Sequence, residues 1–180
     1  MLLQILKEIP DARGKKGRQY QNWAVLFIAI IAMISGANSY RQIHTFAKSR
    51  FEYLKEKLGI KWKKVPSYTS IRAIIINTDA EALERRFREH AMQLEKSTAY
   101  DGKLHISSDG KTIKGSYDNK KSVDAFHFLN IFAHKSKIIL GHEIVGEKTN
   151  EIPVFQDMLK ILEIEDAIYT ADAMHIQKKQ

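Results

Sequence analysis

The hydrophobic pattern changes its period once along the chain. In the front half, apolar residues recur at helical spacing. Residues 23–34, WAVLFIAIIAMI, form an uninterrupted apolar run. A membrane span needs about 20 such residues, and this run breaks at Ser35-Gly36 after 12. It starts behind Lys7, Arg13, Lys15, Lys16 and Arg18, which does not match a secretory leader. The reading is a helix buried on all sides in a soluble core, with no membrane partner. Ser39 caps the next helix, which places Tyr40, Ile43, Phe46 and Ala47 on one face. Phe51, Leu54 and Leu58 give another, ended by Gly59. Ser67 or Thr69 opens a helix with Ile71, Ile74 and Ile75 inward. Thr78-x-x-Glu81 reads as a capping box, followed by the stripe Leu83, Phe87, Ala91 and Leu94.

Near Ser97 the period shortens. Leu104 and Ile106 alternate with polar residues, as in a strand that ends at Asp109-Gly110. Residues 125–134, AFHFLNIFAH, are apolar on both faces, as a central strand is. After the turn Lys135-Ser136, residues 137–145, KIILGHEIV, complete a hairpin. Asn150 caps a helix bearing Ile152, Phe155, Leu159 and Leu162 on one side. Residues 167–170, AIYT, are a fourth strand, followed by Ala171-Asp172. The expected class is α+β: an all-helical domain over 1–95, then a mixed α/β domain over 96–180 in the order β-β-β-α-β.

Composition limits the chemistry. The 180 residues include no cysteine, which excludes disulfides, thiolate metal sites and cysteine nucleophiles. The formal net charge is +8 and lies in the front half. Residues 1–100 hold 18 basic and 9 acidic side chains, and residues 101–180 hold 11 and 12. The front half therefore reads as a polyanion-binding part, with RGKKGR (Arg13, Lys15, Lys16, Arg18) and KWKK (Lys61, Lys63, Lys64) as candidate contacts. A solvated basic face fits the same charges. Asp109 and Asp172 each follow strand-like segments. If those strands are adjacent and parallel, both carboxylates emerge at one edge and need a proton or a cation between them. Oxygen ligands of this kind suit Mg²⁺ or Mn²⁺. Each also fits as an ordinary turn residue. DGKT lacks the upstream glycine of a phosphate-binding loop, and the seven histidines show no metal-site spacing.

DGKTIKGS, GEKTNEIP and TADAMHIQ, in this order around the hairpin, resemble the catalytic core of DDE transposases of bacterial insertion sequences, most closely the H-repeat-associated type. IPDARGKKGRQY, ISGANSYRQI and PSYTSIRAII resemble that family's associated N-terminal domain. The resemblance implies an RNase H-like fold for the back half. It makes Asp109 and Asp172 the first two catalytic, metal-binding aspartates of a two-Mg²⁺ centre. It implies double-stranded DNA as partner, with Lys111 a candidate phosphate contact, a possible homo-oligomer, and a place at the nucleoid in the bacterial cytoplasm. The family pattern continues to a glutamate on a later helix, and AMHIQKKQ after Asp172 holds no acid. The chain therefore reads as an N-terminal portion, inactive alone. The competing class is a non-catalytic DNA-binding or dimerising module.

Overall fold

The structure is a computed structural model and describes residues 2–14, 18–98, 103–113, 125–145, 151–164 and 167–170. Among them are seven α-helices and four β-strands, an α+β composition. They fall into two compact units, Met1–Arg86 and Phe87–Gln180.

The first unit is helical. It contains α1 (Leu2–Lys7), α2 (Asn22–Ile34), α3 (Tyr40–Ser49), α4 (Phe51–Leu58), α5 (Tyr68–Ile76) and the start of α6 (Ala80–Ser97). The apolar run is α2, and it is the centre of this core: Ala24, Val25, Ile28, Ala29 and Ala32 are buried among Ile43, Ala47, Leu54, Ile71 and Ile74. No helix among the described residues is long and apolar enough to cross a membrane. Ser39 caps α3 by accepting the Gln42 N–H, and Ser67 caps α5 by accepting the Ser70 N–H. Gly59 ends α4 at φ 63°, in the left-handed region that glycine enters without strain.

The cap of α6 differs from the expected box. Asp79, not Thr78, accepts the Ala82 N–H, at 2.9 Å. Thr78 instead donates its hydroxyl to the Ile74 carbonyl and belongs to the end of α5. A carboxylate one residue nearer the first turn takes the orphan N–H. The two compact units divide within α6, so Phe87–Ser97 groups with the second unit. There, Met92 lies against the sheet core and Glu95 is buried. Arg88 reaches over Gly141 and donates to the His142 carbonyl at 3.3 Å. The inward side of this half-helix thus runs through Arg88, Met92 and Glu95. Leu94 of the expected stripe is half-buried, as Arg88 and Met92 are.

The second unit holds β1 (Leu104–Thr112), β2 (His127–Ala133), β3 (Ile138–Val145), α7 (Glu151–Ile161) and β4 (Ala167–Thr170). The sheet order is β3-β2-β1-β4. β2 is antiparallel to both neighbours, and β4 is parallel to β1. The long connection through α7 is what a parallel neighbour requires. The β2–β3 turn places Lys137 at φ 59°. α7 buries Met158 and packs Phe155 and Leu159 against Ile106, Leu129, Ile131 and Leu140. Asn150, the expected cap of α7, lies outside the described residues.

Candidate functional site

β1 carries the site. It runs on through Asp109-Gly110 to Thr112, so Asp109 sits within a strand and not in a turn. Among the described residues its pairing is unequal on the two sides. With β4 it pairs only as far as Ser107↔Thr170, whereas with β2 it pairs from Ile106 to Thr112. Asp109 comes two residues after Ser107, the last β1 residue paired with β4 among the described residues. Antiparallel pairing with β2 supplies the ladder that keeps the strand extended there.

Alternation separates the two faces of β1. Leu104, Ile106 and Ser108 turn to the side of the core, where Ile106 is fully buried. His105, Ser107, Asp109 and Lys111 occupy the other face. Asp109 is opposite Asn130 on β2, which is opposite His142 on β3, so a polar row crosses the sheet. Phe128 packs edge-on against His142 at 5.5 Å and flanks this row. Asp109 is exposed and makes no hydrogen bond or ion pair among the described residues. Lys111, two residues on, is exposed on the same face. β4 is fastened to β1 by the Thr170 hydroxyl, which donates to the Ile106 carbonyl at 3.2 Å.

Asp172 lies outside the described residues, as do Lys15 and Lys16. The other basic candidates have defined environments. Arg13 grips both carboxylate oxygens of Asp11 at 2.8 Å and donates to the Tyr20 carbonyl. Arg18 donates to the carbonyls of Asp11 and Arg13. These arginines close the loop that leads into α2. The Arg13 guanidinium holds the Asp11 carboxyl below the usual carboxylate value; burial opposes this, and the Arg13 backbone N–H and the Arg18 charge add to it. Lys61, Lys63 and Lys64 are exposed between α4 and α5, whereas Trp62 is only 4% exposed. Its ring packs edge-on against Tyr20 at 5.1 Å and its N–H donates to Gln21. The aromatic of the basic cluster is an internal anchor that turns three lysines to solvent.

The sequence reading missed Asn130 and His142, which stand in line with Asp109. The signal was available in the period-2 alternation of three strands, but it needed the register to align them. Asp109 offers hard oxygen donors of the kind Mg²⁺ and Mn²⁺ accept. Among the described residues, no group of three or more His, Asp or Glu side chains stands together as a metal site.

Residues 3–91 match the family described as DDE_Tnp_1-associated. The Escherichia coli (strain K12) protein named "Putative transposase YncI" is 33% identical over 177 residues, covering 98% of this chain and 70% of that protein. The chain belongs to the DDE transposase family. "H repeat-associated putative transposase YhhI" of the same strain is 28% identical over 177 residues, which is 46% of its length. The YncI protein of Escherichia coli O157:H7 is 33% identical, and the chain covers 44% of it. The chain thus spans about half the length of two of these three transposase relatives. No solved structure matches it.

Proposed function

We propose that this chain contributes the first two acidic ligands of a DDE-type phosphoryl-transfer centre that acts on double-stranded DNA. One observation carries the reading. β1 and β4 are adjacent and parallel, with Ser107 opposite Thr170. Asp109 and Asp172 each come two residues later in the sequence. Continuing that register brings the two carboxylates to the same edge. Family membership supports the same pair, as does the exposed, unpartnered state of Asp109 among the described residues.

In this reading Asp109 and Asp172 would supply oxygen ligands to Mg²⁺ or Mn²⁺, because the repulsion of converging carboxylates favours a bound cation. When bound, a metal pair polarises a phosphodiester and lowers the pKa of attacking water. The chain's own residues bind and orient. Lys111, on the face of Asp109, meets a backbone phosphate. Asn130 fixes the lateral position of what rests on the sheet. The back half takes the RNase H-like arrangement, and the front half holds DNA through phosphates. Lys61, Lys63 and Lys64 are the principal contacts there, with Lys15, Lys16, Arg13 and Arg18 beside them. The reaction is phosphodiester hydrolysis at an element end followed by transfer of the freed strand to target DNA, in the bacterial cytoplasm, with a homo-oligomer as the acting form.

The test is Mg²⁺-dependent nicking of duplex DNA by the gene product that carries this sequence. Asp109→Asn and Asp172→Asn each lower the rate by at least about 10³-fold if they hold the metal that stabilises the transition state. Undiminished nicking by either variant removes that residue from the centre.

A further inference from the structure

We propose that the outward face of α5 is the DNA-reading element of the first unit, inserting into the major groove while the lysines before it hold the backbone. This inference rests on the DNA-binding reading above and adds which surface reads sequence.

Charge comes first. Residues 12–51 and 57–78 contain no Asp or Glu, and α3, α5 and the loop leading into α5 all lie inside these stretches. The inner side of α5 is Ile71 and Ile74, both buried. Its other side presents Tyr68, Thr69, Arg72, Ala73 and Ile76, all exposed and spaced by three or four residues. An exposed isoleucine and a tyrosine ring on a basic face are poor solvent chemistry and good groove chemistry. Arg72 makes no hydrogen bond, ion pair or ring contact among the described residues, so its guanidinium is free to engage a ligand.

The N-terminal end of the helix is fastened to α3. The Arg41 guanidinium of α3 lies 5.2 Å from the Tyr68 ring centre, and the His44 ring bonds the Pro66 carbonyl at 2.9 Å. Arg41, Tyr68 and Arg72 therefore form one row along the exposed side. Lys63 and Lys64 stand exposed a few residues before the Ser67 cap. A single α-helix fits the major groove of about 12 Å. Arginine reads guanine O6 and N7 through its two-pronged donors, and apolar groups such as Ala73 and Ile76 meet the thymine methyl. Lysines placed just outside supply orientation without sequence information.

The experiment is selection of a randomised duplex pool by the full 180-residue chain, with single-stranded DNA and RNA as competitors. Affinity for the winning duplex and for its scrambled version is then compared at fixed salt. The expected result is an enriched sequence. Arg72→Ala should lower the ratio of the two affinities by about 10-fold or more, as removal of one two-pronged base contact does. Arg72→Lys should lower the ratio and keep the scrambled-duplex affinity, because it retains charge but not geometry. Lys63→Gln with Lys64→Gln should weaken both duplexes equally. Thermal melting of each variant should match the parent, since these side chains are exposed. Salt-dependent duplex binding with no enriched sequence, or an unchanged ratio in Arg72→Ala, overturns the role of α5 and leaves the DNA-binding reading standing. Preference for single strands or RNA overturns it too. Absence of binding to any duplex at low salt overturns both.

Discussion

Asp11 and Asp109 are two aspartates with opposite surroundings, and the contrast decides what each does. Asp11 is bound by Arg13 and approached by Arg18, so its charged form is favoured in the folded chain. Its folded-state pKa lies below the unfolded value of about 4. The stability it contributes is present above that value and is lost as pH falls through the lower, folded-state value. Asp11→Asn should therefore melt below the parent at neutral pH, and the gap should close as acid protonates Asp11 below about pH 4. Melts taken across this range check it, and a gap independent of pH contradicts it. Asp109 has no partner among the described residues. Asp109→Asn should leave the melting temperature within about 2 °C of the parent in metal-free buffer, as surface substitutions do. A large drop would mean that the carboxylate serves the fold. Trp62 is the residue where reading by type misleads. Set among three lysines it looks like a base-stacking ring, but it is buried against Tyr20. Trp62→Ala should cost about 3–5 kcal/mol in denaturant unfolding.

At the scale of elements, most of the helical architecture was legible because local chemistry and tertiary packing agree. The Ser39 and Ser67 caps, the Gly59 terminator and the Ile71–Ile74 spacing each name their element from a few neighbouring residues. What escaped was set by partners distant in sequence. β1 runs past Asp109-Gly110 because β2 continues to pair with it, and a dipeptide that ordinarily turns is held extended. The inward side of α6 changes along its length because its second half meets the sheet. α2, expected to be buried on all sides, is not: Ala24, Val25, Leu26, Ile28, Ala29 and Ala32 are enclosed, but Trp23, Phe27, Ile30 and Ile31 are half-buried along one side and Met33 and Ile34 are exposed, so its apolar run exceeds what its neighbours cover. Ile28, 4% exposed, tests the enclosed side. Ile28→Asp places an unpaired charge in that core and should cost more than about 4 kcal/mol, enough to unfold the first unit. A soluble variant that melts like the parent would mean that the Ile28 side of the helix is not in the core. Gly59→Ala should cost about 1 kcal/mol, because alanine is strained at a positive φ. Chemical denaturation measures it, and an unchanged midpoint would contradict the αL cap.

At the scale of the whole molecule, the asymmetry of charge was legible by counting, and the parallel pairing of the first and last strands was legible as a condition. The structure meets that condition for Leu104–Ser107 against Ala167–Thr170. The polar row Asp109, Asn130 and His142 was not legible, because it needs the register of three strands. Nor was the fastening of Arg13 and Arg18 to their own loop, which makes them poor choices for a test of DNA binding. The three exposed lysines are better. Replacing Lys61, Lys63 and Lys64 with glutamine should reduce the slope of log affinity against log salt by up to about 0.9 for each phosphate that is no longer neutralised. An unchanged slope would place the phosphate-binding residues elsewhere.

The proposed centre requires Asp109 and Asp172 to stand together at one sheet edge, and the chain's lack of cysteine allows a direct measurement. Asp109→Cys with Asp172→Cys introduces the only two thiols. Neighbouring strands lie about 4.8 Å apart, within reach of a disulfide. Ser107→Cys with Thr170→Cys, at register partners, is the positive control. Under mild oxidation both pairs should lose their free thiols within one molecule, without dimer formation. A control that cross-links while the aspartate positions keep two free thiols would contradict the convergence on which the proposed centre depends.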